Sequence, residues 1–395
     1  MGPLERVRIL DLSGYLAGPY CTMLLADLGA EVIKVEEPGK GDGSRQWGPP
    51  FIDGESAYFL SINRNKRSIT INLKSKRSKE IIQKLVANSD VFVENYRPGI
   101  ANRLGIDYES LKKVNSKLIY CSISGFGQDG PYREKPSYDI IAQAMGGLMS
   151  ITGEKNGPPV KVGIAIADIC AGMFATIGVL AALNQRSTTG EGDKIDISLM
   201  DGQISWLSHQ AGYYFATEKN PERLGSAHPT IAPYQAFKAN DCYFVVAVGN
   251  DSLWAGFCDA LSLASLKNDP RFVRNPDRVK NREALSRILN DFFAEKPAKV
   301  WIKLLDESGV PCAPIQSFDE VFKDPQVQFR GMVQEINHAK LGKKIRTIGN
   351  PIKMSKLEFK IRLPPPTLGE NTEQILSSLG YSTEEINSLK EQETI

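Results

Sequence analysis

The residue whose type and setting best suit chemistry is Asp168, in the string GIAIADICAGMF. It stands between an apolar stretch and a run of small and apolar residues that favour a helix. An acid there can cap a helix start, accepting free backbone N–H groups and complementing the positive end of the helix dipole. Alternatively, its ionised carboxylate can act as a nucleophile and form a covalent intermediate. On these residues alone, the helix start is the more common outcome.

Cysteine and histidine offer no comparable arrangement. The six cysteines are scattered without a CxxC pair, and the three histidines stand far apart. No metal site is predicted, because zinc ligands occur at short, regular spacings. Several cysteines sit in apolar runs, where a free thiol behaves as a small buried hydrophobe. We therefore expect reduced thiols in a reducing compartment.

Two polar strings carry cations that would suit an anionic ligand. Arg45, in GDGSRQWGPP, is either a loop charge or a partner for a distal substrate carboxylate. The string NRNKRS, residues 63–68, is either a solvated turn or a group that attracts phosphates.

Gly146 and Gly147 would suit a tight, dry pocket whose backbone N–H groups hold an oxyanion.

These residues are embedded in alternating strand and helix patterns. Strands are predicted over 7–12, 30–36, 91–95 and 118–125, and helices over 22–29, 78–90, 138–153 and 167–186, with the apolar string 194–216 continuing the helical region. Such alternation is typical of a parallel α/β sheet, in which ligands bind beyond the carboxyl ends of the strands. The first strand–helix turn, DLSGYLAGP, is not GxGxxG, which argues against a nicotinamide dehydrogenase.

Length and composition set the remaining limits. At 395 residues the chain exceeds one typical domain, and short strands and charged helices over 225–329 predict a smaller second domain. A net charge of +2 gives no reason to expect a nucleic-acid partner. No run of about 18 uninterrupted apolar residues appears, so no membrane span is expected. No targeting pattern opens the chain. We expect a cytoplasmic location, with the mitochondrial matrix after presequence removal as the alternative.

Seven strings, in order along the chain, resemble the class III CoA-transferases (CaiB/BaiF type), a family that also contains the α-methylacyl-CoA racemases. They are ILDLSGYLAGPYCTMLLADLGAEVIKVEEPGKGDGSR, LSINRNKRSITINLK, DVFVENYRPGIANRLGIDY, IYCSISGFGQDGPY, GIAIADICAGMFA, HPTIAPYQAF and PPPTLGENTEQIL. The resemblance implies an α/β fold with a Rossmann-like large domain over 1–215, a smaller α+β domain over 225–329, and a segment over 330–395 that returns to the large domain. It also implies an interlocked homodimer.

The resemblance assigns roles to particular residues. Asp168 matches the catalytic aspartate of the family. The positions that match CoA-contacting segments are Leu16, Ala17, Ile71, Asn72, Leu73, Lys74, Asn95, Tyr96, Arg97, Arg103, Lys135 and Tyr138. The implied reaction moves CoA from an acyl-CoA such as succinyl-CoA to a carboxylic acid, through an aspartyl anhydride and an aspartyl-CoA thioester. Coenzyme A is then a substrate, and no metal is needed.

Some positions depart from the family pattern. Glu37 stands where some relatives have an arginine facing the nucleotide phosphates, and Leu16 stands where formyl-CoA-specific relatives have glutamine. The small domain reads VGNDSLW in place of a glycine run, so formate and oxalate specificity is not expected.

Two alternatives to transfer stay open. One is α-methylacyl-CoA racemisation, although the racemase histidine aligns with Tyr138, whose phenol is a poor base at neutral pH. The other is a non-catalytic CoA-ester binding protein, which would not need Asp168.

Overall fold

The structure is a computed structural model that describes residues 2–357 and 359–395. The chain forms two compact units. The first contains Met1–Leu148, Val162–Ala211 and Gln326–Ile395, and the second contains Met149–Lys161 and Gly212–Pro325. The sequence prediction left 149–161 in the large domain. In the structure, backbone hydrogen bonds from Val160 to Thr152 and from Gly225 to Gly153 fold this segment into the second unit.

The strands are β1 (Arg8–Asp11), β2 (Glu31–Glu36), β3 (Phe51–Ile52), β4 (Glu55–Ser56), β5 (Lys66–Thr70), β6 (Val91–Glu94), β7 (Ile119–Ser124), β8 (Lys194–Ser198), β9 (Tyr234–Lys238), β10 (Tyr243–Ala247), β11 (Cys312–Pro314), β12 (Val333–His338) and β13 (Lys343–Ile348).

The α-helices are α1 (Ala17–Asp27), α2 (Ala57–Ile62), α3 (Ser78–Ala87), α4 (Ile100–Leu104), α5 (Tyr108–Lys112), α6 (Asp139–Met145), α7 (Leu148–Ile151), α8 (Ile166–Thr189), α9 (Leu199–Trp206), α10 (Ser208–Thr217), α11 (Asp251–Ala260), α12 (Ala264–Lys267), α13 (Asn275–Lys280), α14 (Arg282–Phe293), α15 (Ala298–Glu307), α16 (Phe318–Val321), α17 (Pro325–Phe329), α18 (Thr372–Ser378) and α19 (Thr383–Glu391). Two 3₁₀ turns cover Gly43–Gln46 and Ala339–Leu341.

The first unit is built on a parallel sheet. Within the described residues its six strands run in the order β5-β2-β1-β6-β7-β8, and every neighbouring pair is parallel. Consecutive side chains of a strand point to opposite faces, so Ile9 and Leu10 enter two different apolar cores. Helices α1 and α8 contribute to one core, and α3, α18 and α19 contribute to the other. The predicted parallel α/β sheet is confirmed.

Helix α8 is the longest element and carries Asp168 in its first turn. By length and composition alone it meets the requirement for crossing a bilayer, a criterion that buried core helices also meet. Its residues Ala167, Ala171, Ala175 and Val179 recur at helical spacing and pack in the core of the first unit.

The second unit has its own sheet and core. Strands β9, β10 and β11 form an antiparallel sheet in the order β11-β10-β9. The core includes Phe237, Phe244, Trp254, Phe293 and Trp301, all nearly or fully buried. The predicted helix over 281–295 corresponds to α14, and the predicted strand over 243–249 corresponds to β10.

Two strands of the parallel sheet are not predicted from the sequence. Residues 194–216 were read as helical throughout, but Lys194–Ser198 forms the edge strand β8 before α9 begins. The sequence predicts either a solvated turn or a phosphate-attracting group over 63–68, but Lys66–Thr70 forms β5 at the other edge. The predicted helix over 138–153 is divided into α6 and α7, because Gly147 between them has a φ of +86°.

Candidate active site

The carboxyl edge of the parallel sheet gathers three of the sequence-predicted segments. Residues 13–17 follow β1, residues 71–74 follow β5, and residues 95–97 follow β6. All parallel strands present their carboxyl ends at the same edge, so these loops share it. Strand order reverses between β1 and β6, which is where ligands bind in open α/β sheets.

Two side chains hold the β1 and β6 loops in place. The Asn95 amide donates to the Gly14 carbonyl at 2.7 Å and accepts from the Gly14 N–H at 2.9 Å. Glu94, at the end of β6, accepts from the Tyr96 N–H at 2.8 Å and from the Ser122 hydroxyl. Burial raises the pKa of Glu94. The Asn95–Arg97 segment is therefore tied both to the first loop and to β7.

The buried ion pair between Lys34 and Asp42 holds the loop that follows β1. The Lys34 ammonium contacts an Asp42 carboxylate oxygen at 2.8 Å and donates to the Ser13 carbonyl at 2.7 Å. The other Asp42 oxygen accepts from the Tyr15 N–H at 2.9 Å. Burial opposes the Lys34 charge, but Asp42 and Asp11 outweigh it and raise the Lys34 pKa. These contacts hold Tyr15 at a φ of +66°.

Asp168 lies in the first turn of α8 with a partly buried side chain. Burial, followed by repulsion from the Asp139 carboxylate, raises its pKa from 3.8 to about 7. Burial also raises the pKa of Tyr58 to about 12, and Asp168 is the largest electrostatic contributor to that rise. Tyr58 of α2 and Ile169, the residue after Asp168, pack against the same small apolar cluster.

A run of aromatic rings connects the predicted residue Tyr138 to Tyr58. Tyr138 stacks edge-on against Tyr15 at 6.4 Å between ring centres, and Tyr15 contacts Trp47 at 5.1 Å. Trp47 contacts Tyr58 edge-on at 5.0 Å. Tyr138 is 61% exposed, whereas Tyr58 is half-buried. The rings thus form a continuous aromatic surface from Tyr138 to Tyr58, which packs against the same cluster as Ile169 beside Asp168.

The predicted cations lie at the protein surface. Lys74, Arg97, Arg103 and Lys135 are all exposed. The Lys135 ammonium lies 5.1 Å from the Tyr132 ring centre and 5.9 Å from that of Phe126. Exposed cations of this kind are available to anionic ligands.

The other predicted positions are less accessible through their side chains. Leu16, Ala17 and Ile71 are buried, so a ligand would meet their backbone. The Asn72 amide donates to the Glu393 carbonyl at 3.3 Å, and Leu73 packs against one core.

Two sequence hypotheses about cations are wrong. The Arg45 guanidinium is paired with Glu36 at 2.7 Å and with Glu55 at 3.0 Å, so it is not available to a substrate carboxylate. Residues 63–68 are neither a solvated turn nor a phosphate site. Arg64 pairs with Asp27, and Lys66 contacts Asp11 at 3.1 Å, all beneath the surface. Burial lowers the Lys66 pKa to about 8.

Four residues near the site are not predicted from the sequence: Tyr15, Trp47, Tyr58 and Asp139. Trp47 stands in a Gly- and Pro-rich loop, where a large aromatic residue has no periodic core to serve. This placement of Trp47 was the sequence feature that could have indicated a functional residue. No pattern distinguished Tyr58 or Asp139. Within the described residues, no group of three or more His, Cys, Asp or Glu side chains is arranged to hold a metal ion.

Comparison with known proteins gives concordant results. Residues 4–372 match the family model described as CoA-transferase family III. A succinyl-CoA:glutarate CoA-transferase of Mus musculus is 47% identical over 96% of this chain and 87% of its own length. A succinate–glutarate CoA-transferase of Agrobacterium fabrum is 41% identical over 95% of this chain and 96% of its own. The crystal structure of a CaiB/BaiF family protein from Brucella suis superimposes with a TM-score of 0.86 at 41% identity, covering 96% of this chain and 99% of that one.

Proposed function

Since the chain belongs to CoA-transferase family III, we propose that it moves CoA from succinyl-CoA to a dicarboxylic acid, with Asp168 as the nucleophile. Relatives similar over nearly the whole chain support the substrates, because their names pair succinate with glutarate. A relative from Haloarcula hispanica, 38% identical, is named for succinyl-CoA and mesaconate. The shared feature of these acids is a second carboxylate.

The observation that carries the mechanism is the setting of Asp168. Its carboxyl group lies in the first turn of α8 with a half-buried side chain, and burial raises its pKa to about 7. About half of such a group is ionised near neutral pH, and its poorly solvated carboxylate is more basic than an exposed one. Both properties favour attack on a thioester carbonyl.

The proposed chemistry balances without a metal or ATP. The Asp168 carboxylate attacks the thioester carbonyl, forming a mixed anhydride and releasing CoA thiolate. The thiolate attacks the aspartyl carbonyl, giving an aspartyl-CoA thioester and the free donor acid. The acceptor acid then attacks this thioester, and the released thiolate takes the acceptor acyl group from the second anhydride. One thioester replaces another, so the exchange is close to thermoneutral.

The surrounding residues have separate tasks in this scheme. The Tyr138, Tyr15, Trp47 and Tyr58 rings exclude water that would hydrolyse the anhydride and the thioester. The exposed cations Lys74, Arg97, Arg103 and Lys135 would bind CoA phosphates, in company with the fixed Asn95–Arg97 turn. Burial of Leu16 and Ala17 leaves their backbone as the contact surface.

We also propose the interlocked homodimer that the resemblance implies. Met173 and Ile177 on α8, with Ile204 and Trp206 on α9, are 40–58% exposed in the single chain. Helices α8 and α9 pack against each other, and exposed apolar side chains on neighbouring helices commonly mark a protein interface. Sedimentation equilibrium should give about twice the 43.6 kDa chain mass. A monomeric mass at micromolar concentration would contradict the dimer.

The direct test of the function is an exchange assay. The protein is incubated with succinyl-CoA and, separately, glutarate, mesaconate, oxalate or the monocarboxylate butyrate, and new CoA esters are identified by mass spectrometry. We expect esters of the longer dicarboxylates and little butyryl-CoA. Asp168→Ala should bind CoA but form no ester, while Asp90→Asn should remain active. Exchange by Asp168→Ala at a substantial fraction of the normal rate would refute the nucleophile.

A further inference from the structure

Helix α6 carries a pair of polar side chains that contact each other one turn apart. The Gln143 amide nitrogen donates to an Asp139 carboxylate oxygen at 2.8 Å. The spacing i, i+4 places both on the same face of the helix. Gln143 is fully buried, so its amide must find its partners inside the protein.

The same two side chains hold the segment that leads into α8. The Gln143 amide oxygen accepts from the Val162 N–H at 2.9 Å. The second Asp139 oxygen accepts from the Ala167 N–H at 2.9 Å, one residue before Asp168. Both ends of residues 162–167 are therefore fixed to one face of α6. We call Asp139, Gln143 and these three hydrogen bonds the α6 clamp.

The α6 clamp also determines part of the electrostatic environment of Asp168. The Asp139 carboxylate is the charged group that adds to burial in raising the Asp168 pKa. From α2, the Tyr58 phenol interacts electrostatically with both the Asp168 and the Asp139 carboxylates. From α1, Leu16, Met23 and Tyr20 pack in one cluster with Ile169. Tyr20 stays neutral, since burial raises its pKa. Asp139 is thus the anion whose removal changes the field at Asp168.

We propose that Asp139 and Gln143 are positioning residues that hold Asp168 in the geometry for attack on the thioester. The proposal rests on the nucleophilic role proposed above for Asp168. Neither residue needs to touch the substrate, because both act through the Val162 and Ala167 backbone. A misplacement of the nucleophile by about 1 Å is enough to lower kcat about 100-fold.

Three variants separate the geometry of the clamp from its charge. Gln143→Met removes two hydrogen bonds and keeps the Asp139 carboxylate. Asp139→Asn removes the charge. The introduced amide has only one oxygen, so one N–H donor of the α6 clamp then faces another donor instead of an acceptor. The double variant Asp139→Asn/Gln143→Glu restores every bond. In it, the introduced amide oxygen accepts from the Ala167 N–H, and the amide nitrogen donates to the introduced carboxylate, whose other oxygen accepts from the Val162 N–H. The negative charge then lies one helical turn away from position 139.

The measurements are kcat with succinyl-CoA and the pH profile of kcat/KM. Gln143→Met should lower kcat about 10- to 100-fold with the acid limb unmoved. Asp139→Asn should lower kcat similarly and shift the acid limb to lower pH, because a neighbouring anion is gone. The double variant should recover kcat to within about threefold while the limb stays shifted. A folding defect alone would not move the limb, and thermal unfolding of each variant checks the fold.

The control is Asp90→Asn. Asp90 contacts Arg186, which lies about 27 Å from Asp168 along the axis of α8. Asp90 also accepts a backbone N–H, from Arg8 at 2.8 Å, and pairs with Arg186 near the end of α8. Asp90→Asn should change neither kcat nor the acid limb of the pH profile. Wild-type kcat in both single variants, or a double variant as impaired as Asp139→Asn, would overturn the proposal. Failure of the nucleophilic role itself would appear separately, as activity in Asp168→Ala.

Discussion

Replacing Asp168 by asparagine should stabilise the folded chain, and by more at alkaline pH than at acid pH. The Asp and Asn side chains have nearly equal shapes, so the difference in the free energy of unfolding comes from the ionisation of the aspartate. The folded-state pKa is about 7 against an ordinary 3.8. Between these values the folded chain holds a proton that the unfolded chain has lost, so the stability of the wild type falls as pH rises. Asparagine has no such dependence.

The magnitude follows from the shift of about three units. At pH 8 the wild type is destabilised by up to about 4 kcal/mol relative to Asp168→Asn, and at pH 5 by about 2 kcal/mol. The partly exposed carboxylate keeps some water, which reduces both figures. The opposing loss of a favourable charge at the α8 start is smaller, about 0.3–1 kcal/mol. Removing the buried charge therefore stabilises the folded chain by more than the lost interaction with the helix dipole destabilises it.

The assay is urea unfolding of both proteins at pH 5 and pH 8, with the free energy of unfolding compared at each. We expect Asp168→Asn to be the more stable, with an advantage that grows by about 1–2 kcal/mol between the two pH values. Asp90→Asn, which removes the ion pair to Arg186, should gain no stability at either pH. An advantage that does not change with pH, or a less stable variant at pH 8, would refute the burial of an ionisable Asp168.

Three further predictions concern other parts of the molecule. The kcat/KM for succinyl-CoA should rise about tenfold from pH 6 to pH 8, as Asp168 loses its proton through a pKa near 7; a flat profile would contradict this. Arg103→Ala should raise KM for CoA esters several-fold at unchanged kcat, and steady-state kinetics with an unchanged KM would remove Arg103 from the site. Asp27→Ala should destabilise the first unit by about 3–5 kcal/mol in urea unfolding, since it leaves the buried Arg64 without its partner; a loss below about 1 kcal/mol would contradict that pairing.

The sheet could be predicted where strands are apolar and fully buried. Residues 91–94 and 119–124 are such runs, and both were identified. The edge strands β5 and β8 were missed because they carry charges. Lys66 and Arg67 make β5 look solvated, although Lys66 is buried against Asp11, which lies 55 residues earlier. Sequence gives no indication of a partner at that distance.

The candidate site divides in the same way. The position of Asp168 at a helix start is a local property, and both the prediction and the structure place it there. The contacts among Tyr15, Trp47 and Tyr58 bring together two loops and helix α2, an arrangement that no local sequence pattern encodes. The α6 clamp is likewise a tertiary feature, because Gln143 reaches across 19 residues to Val162.

The proposed chemistry is tested most directly by following oxygen. The acceptor dicarboxylate is supplied with ¹⁸O in its carboxylates, in unlabelled water, with succinyl-CoA as donor. The mechanism predicts that each turnover leaves one acceptor oxygen in the Asp168 side chain. Either oxygen of that carboxylate can attack the next succinyl-CoA, so the label appears in succinate over the following turnovers. Mass spectrometry of the peptide containing Asp168 and of the succinate should show both. Continued exchange with no ¹⁸O in either would contradict the covalent role of Asp168.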